Sequence, residues 1–148
     1  MTQKSFEHEI FIRSDVRTVL QAVTDMKQSL SIHPLIIKVD EVPPSDGALK
    51  RYIITDSLKW GPFKFKLKYR VDVIEVAEDH ARLIAIPSSW MKIESLMQVS
   101  PREDGVILKE SYVMHAPALL FDYSFKQAQE SHRISFQNLK AFLENKKS

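Results

Sequence analysis

The stretch LLFDYSFKQAQESHRISFQNLKAFLENK, residues 119–146, decides how the rest of the chain must be arranged. Phe121, Phe125, Ala128, His132, Phe136, Leu139 and Leu143 recur at the three- and four-residue spacing that stacks side chains on one face of a helix. Phe142 widens that stripe, while Lys126, Glu130, Arg133, Gln137 and Lys140 fall on the other side. Burying its two leucines and four phenylalanines would contribute on the order of 10 kcal/mol, an upper bound because an unfolded chain already hides some of that area. A terminal helix with so much apolar surface needs a broad partner. One position breaks the stripe: His132 sits at its centre.

The middle of the chain supplies the partner as strands. Phe63, Phe65, Leu67, Tyr69, Val71 and Val73 alternate with Lys64, Lys66, Lys68, Arg70 and Asp72. Period two at this length predicts a sheet with one wet and one covered face. Working outward, the sequence predicts strands over 5–12, 35–42, 49–58, 81–86, 92–99 and 106–115, all with short connections after the second, so that neighbours pair antiparallel. Between the first two strands, Ser14 is the expected N-cap of a helix carrying Val16, Val19, Leu20 and Val23. A second short helix over 25–32 must stop near Pro34, because a residue before proline disfavours helical angles. The three glycines and seven prolines are expected between the periodic runs, where turns belong.

The expected order is thus β-α-α-β-β-β-β-β-β-α, an α+β fold. A seven-stranded antiparallel sheet must cover its apolar face, and curling around the long C-terminal helix buries both at once. No repeat or linker interrupts residues 1–148, so one domain is expected. A net charge of +2 gives no argument for nucleic acid or an anionic membrane surface. The absence of cysteine excludes disulfides and thiolate metal sites. The chain opens Met1-Thr2-Gln3-Lys4-Ser5 and enters a strand pattern without an apolar signal segment, and no run of about 18 apolar residues occurs. A cytoplasmic protein with no transmembrane segment is expected.

Ile32-His33-Pro34 before a strand, Met114-His115-Ala116-Pro117 entering the last helix and Leu139-Lys140-Ala141-Phe142-Leu143-Glu144 near its end, together with the element order, resemble the helix-grip superfamily. That superfamily includes START lipid-transfer domains, birch-pollen-allergen-like proteins, and polyketide cyclase/dehydrase and coenzyme Q-binding families. The resemblance implies a cavity between sheet and helix that holds a small hydrophobic ligand, with cyclisation or dehydration catalysed there in some members. Pro43-Pro44-Ser45-Asp46-Gly47-Ala48 departs from the glycine-rich loop of the plant allergen-like branch. Ring-hydroxylating members hold iron with two histidines and a carboxylate. No histidine pair at helical ligand spacing accompanies His132, so iron is not carried over.

Strand parity then selects candidates. Val106, Leu108, Glu110, Tyr112 and Met114 share one face of the seventh strand. If that face looks inward, Glu110 is a carboxylate in an apolar cavity, where desolvation would raise its pKa and suit it to acid–base work. The expected ligand wall is Phe65, Leu67, Tyr69, Ser95, Met97, Leu108, Glu110, Tyr112, Phe125, Ala128 and His132, with Trp60 and Trp90 in connections rimming the mouth. The structural alternatives are a Glu110 paired with Arg82 or His132, a hydrogen-bonded cavity histidine at 132, and a solvated face for the Lys64–Arg70 basic stripe. His33 is expected to cap the second helix. His8, His80 and His115 show no ligand spacing, so neither a metal nor another cofactor is expected.

The favoured reading is a carrier or sensor of a lipid, isoprenoid or aromatic polyketide-like compound. The second is a cyclase or dehydratase using Glu110 with His132 or a tyrosine. The third is a protein-interaction module with an empty cavity. Tyr123, Ile134 and Ala141 form a weak second apolar strip on the last helix, which hints at a homodimer.

Overall fold

A computed structural model describes residues 2–60, 62–88 and 91–145, with the side chains of 2, 29, 60, 88 and 118–124 outside the description. The strands are β1 (Thr2–Ile12), β2 (Ile36–Val42), β3 (Lys50–Trp60), β4 (Phe63–Val76), β5 (His80–Ser88), β6 (Met91–Arg102) and β7 (Gly105–Ala116). Between β1 and β2 lie α1 (Val16–Thr24), a 3-10 turn (Met26–Gln28) and the single turn α2 (Ser29–Ile32); α3 (Ala118–Asn145) follows β7. The expected element order and the antiparallel sheet are both present.

The sheet runs β1-β7-β6-β5-β4-β3-β2, every neighbouring pair antiparallel. Hairpins link β2 through β7 in turn, and α1 and α2 carry the chain from one edge strand to the other. The sheet curves, and its register slips at Ile36/Lys38, Val73/Glu75 and Ala85/Ser88 bend and twist the strands locally. Pro87 lies at the last of these slips, inside β5, and Pro101 lies near the end of β6, so these two prolines are not confined to turns as the sequence suggested. A proline cannot donate to the ladder, which restricts it to such irregular or terminal positions. Gly47 turns the β2–β3 connection with φ +84°, a conformation open to glycine at little cost.

The parity of β7, left conditional in the sequence, is settled by the structure: Val106, Leu108, Glu110, Tyr112 and Met114 are all buried. The main core joins Val106 and Leu108 to Ile12, Val19, Leu20, Tyr52, Ile54, Val71, Val73, Leu83 and Val99, with Phe136, Leu139 and Leu143 of α3 laid on top. Polar ties fix where α3 sits. The Asn138 amide donates to Ile32 O at 2.6 Å, tying it to α2, and Lys140 Nζ donates to Phe11 O at 2.7 Å, tying it to β1. Glu144 accepts from the backbone of Arg13 at 2.9 Å.

The cap of α1 differs from expectation. Asp15, not Ser14, is the N-cap, and its carboxylate accepts from Thr18 N and Thr18 Oγ1, each at 2.8 Å. An ionised carboxylate is the better acceptor at the positive end of a helix. On the outer sheet face Lys64, Lys66 and Lys68 line one side of β4, and all three are exposed. Arg51 forks onto Asp72 at 2.8 and 3.0 Å across β3–β4, and Arg70 lies 3.3 Å from the same carboxylate, so the stripe is partly neutralised at its inner end. No helix among the described residues is long and apolar enough to cross a membrane.

Candidate functional site

A cavity of about 460 Å³ lies between the concave sheet face and α3. Its wall is mostly apolar, from Val23 and Met26 at one end through Leu67, Leu83 and Ile93 to Met114. That volume is in the range of small-molecule sites. Phe65 lines the cavity yet is 42% exposed, so solvent reaches this end, at the tip of the β3–β4 hairpin.

Of the expected wall residues, Phe65, Leu67, Tyr69, Ser95, Met97, Glu110, Tyr112, Ala128 and His132 line the cavity. Leu108 is in the closed core, 0% exposed, because β7 passes beneath the packed end of α3 before reaching the cavity. Phe125 stands edge-on to Phe6 of β1 at 5.3 Å, in a separate small cluster with Tyr112 and Met114. Trp90 and the side chain of Trp60 lie outside the described residues; the Trp60 backbone ends β3 rather than lying in a connection.

Three polar groups meet at one place, two of them on the wall and the third behind it. Glu110, 0% exposed, is held by β7 opposite His8 of β1, its register partner. His132 comes down from α3. His8 Nε2 and His132 Nδ1 lie 2.8 and 2.9 Å from the same oxygen, Glu110 Oε1. A carboxylate only accepts, so both facing ring nitrogens carry the protons. Glu110 therefore pairs with two histidines, not with Arg82, which instead lies 3.6 Å from Glu75. Stacking on Phe136 at 4.3 Å fixes the His8 ring, and Tyr112 meets His132 edge-on at 4.8 Å. Glu110 Oε2 and the Tyr112 hydroxyl are buried without a hydrogen-bond partner among the described residues.

The electrostatics reverse one expectation. Burial by itself raises the Glu110 pKa, but the charge of His132 and the hydrogen bonds from His132 and His8 prevail and hold it low, at about 2. Glu110 is ionised rather than a poised acid. Burial lowers the His132 pKa, and the Glu110 charge and hydrogen bond outweigh this, so it is raised.

Of two further cavity groups, Asp56 escaped the sequence reading and His33 was expected to cap the second helix instead. Asp56 of β3 is 7% exposed and accepts from the Tyr69 hydroxyl at 3.3 Å. Desolvation pushes it up to about 6, against the opposing pull of that hydrogen bond. Its place could have been found from parity, since Tyr52, Ile54, Asp56 and Leu58 share a face. His33 lines the cavity, its Nδ1 accepts from Leu35 N at 3.2 Å, and burial depresses it to about 3, so it is a neutral ring. His8 was visible on the inward face of β1, but its partner Glu110 lies 102 residues away in sequence.

No protein-family model matches the chain, and no curated protein does. Solved structures do. TTHA0849 from Thermus thermophilus superposes with TM-score 0.79 at 13% identity, covering 98% of this chain and 100% of that one. Norcoclaurine synthase from Thalictrum gives TM-score 0.73 at 13% identity, covering 99% and 98%. The di-domain ARO/CYC StfQ of steffimycin biosynthesis gives 0.77 at 11% identity, covering 97% of this chain, which spans 51% of StfQ. At such identities the likeness speaks for the fold alone: the chain has the helix-grip, START/birch-allergen-like fold.

Proposed function

We propose that the protein binds one small, largely apolar molecule between its sheet and α3, as a carrier or sensor of a lipid, isoprenoid or aromatic polyketide-like compound. The observation that supports this most is the cavity of about 460 Å³, apolar over most of its wall and open beside Phe65. Apolar surface kept from close packing forgoes dispersion contacts and becomes favourable once filled. Its polar points, Asp56–Tyr69 and the Tyr112–His132 pair, suit a ligand with a hydroxyl or carbonyl group. Denaturing the purified protein and analysing the extract by mass spectrometry tests the reading. A stoichiometric apolar compound supports it; a protein that emerges empty and takes up no apolar probe refutes it.

A second reading is an acid–base enzyme, a cyclase or dehydratase on such a ligand. Favouring it is the ionised Glu110 that holds a proton on His132, beside a Tyr112 hydroxyl with no described partner. In this reading His132 gives and takes the proton, Glu110 orients and charges it, and Tyr112 donates to a developing oxyanion. It predicts a substrate whose turnover collapses in His132→Gln while probe binding persists. Retained turnover in that variant removes it.

A further inference from the structure

We propose that His8, Glu110 and His132 form a binding site for a divalent transition-metal cation of the zinc class at the cavity wall. The three donors come from β1, β7 and α3, and one ligand atom from each lies within 4.8 Å of the others. Two imidazoles and one carboxylate, without cysteine, form a donor set suited to zinc, cobalt or ferrous ions rather than calcium or magnesium. Bonds of about 2.0–2.2 Å place donors around one ion roughly 3–3.5 Å apart. The two nitrogens are already 2.8 and 2.9 Å from Glu110 Oε1. Binding an ion would displace the protons that the two ring nitrogens now donate to Glu110 Oε1, and would bring those nitrogens, now no more than 4.8 Å apart, together by about 1–2 Å while His8 stays stacked on Phe136 at an interplanar angle of 10°.

A second observation points the same way. Glu110 is fully buried, yet its Oε2 has no partner among the described residues, and neither has the Tyr112 hydroxyl. Buried orphan polar atoms are rare and commonly mark an ion or a water. Glu110, Tyr112 and His132 all line the cavity, so a cation held here would keep a coordination position open toward it. His8 does not line it and closes the set from behind. The proposal stands apart from the identity of any apolar ligand.

The test is a titration of the full chain, stripped with chelator, with cobalt(II) alone, following visible absorption, and with zinc(II) alone, following thermal unfolding. Saturable one-to-one cobalt binding with bands of low coordination number is expected, and zinc should raise the melting temperature. His8→Gln and His132→Gln each keep a side-chain amide donor, and each should weaken cobalt binding at least about tenfold. His80→Gln controls for the exposed His80–Glu75–Asp79 group and should change nothing. Absence of saturable binding to the wild-type chain overturns the proposal. So does binding that survives in both His8→Gln and His132→Gln, or that disappears with His80→Gln. Circular dichroism on each variant separates a lost ligand from a lost fold, and a variant that fails to fold is replaced by His132→Asn or His8→Asn. Apolar-probe binding, measured on the same chelator-treated protein, reports on the cavity independently.

Discussion

Glu110 and His132 meet between β7 and α3, Oε1 to Nδ1 at 2.9 Å, and tie the closing helix to the sheet at the cavity wall. The pair sits where the apolar stripe of α3 is interrupted, so a polar contact replaces a packed side chain at the centre of the helix. Removing one partner of a buried, hydrogen-bonded ion pair leaves the other uncompensated. Glu110→Gln should therefore cost about 1–3 kcal/mol in urea unfolding. A double-mutant cycle with His132→Gln should show a coupling of roughly 0.5–3 kcal/mol. Additive single effects would mean that the contact carries no stability.

Asp56 gives the chain a pH signature. Its folded pKa is raised to about 6 from 3.8, so between those values the native state binds more protons than the unfolded one. The contribution of Asp56 to stability is fully present below pH 4 and declines as pH rises toward 6, leaving a constant cost above that. Asp56→Asn should gain about 2–3 kcal/mol at pH 8 and almost nothing at pH 4. Tyr69 can still donate to the amide oxygen. Equal effects at both pH values would contradict the buried carboxylate.

Leu143 separates stability from binding. It is 3% exposed in the main core and does not line the cavity. Leu143→Ala should cost about 2–5 kcal/mol in chemical denaturation and leave apolar-probe affinity unchanged once the protein is folded. A large affinity loss would mean that the end of α3 shapes the cavity.

The start of α1 offers a comparison of neighbours. Asp15→Ala removes both contacts to Thr18 and should cost about 1 kcal/mol. Ser14→Ala removes a buried hydroxyl that has no partner among the described residues, and should be neutral or slightly stabilising. Thermal melts of the two variants decide the order.

These residues also show what the chain declares locally and what it withholds. The alternation from Phe63 to Val73 and the stripe from Ala128 to Leu143 each follow from a fixed period within one element, and both elements form, although the covered face of β4 opens at its start, where Phe63 is 72% exposed. Which residues share a face of β7 was legible, but which face turns inward was not, because Ile107 and Val113 make the other face partly apolar too. The His8–Glu110–His132 cluster was not legible either, because its members lie on three elements and meet only through the β1–β7 register and the angle of α3. Spacing rules for metal ligands find pairs on one helix or one turn, and they pass over such a set. The expected rise in the Glu110 pKa failed because its pairing with His132 stood only as an alternative in the sequence, and its second imidazole donor, His8, was not readable there.

The most direct measurement is an equilibrium titration of the folded protein with an apolar fluorescent probe, compared with Ala128→Trp. Ala128 faces the cavity from α3, and an indole there fills part of its volume. The account predicts saturable one-to-one binding to the wild-type chain and at least about tenfold weaker binding to the variant, a loss of about 1.4 kcal/mol. Unsaturable binding, or equal binding to both proteins, would contradict a ligand site between sheet and helix.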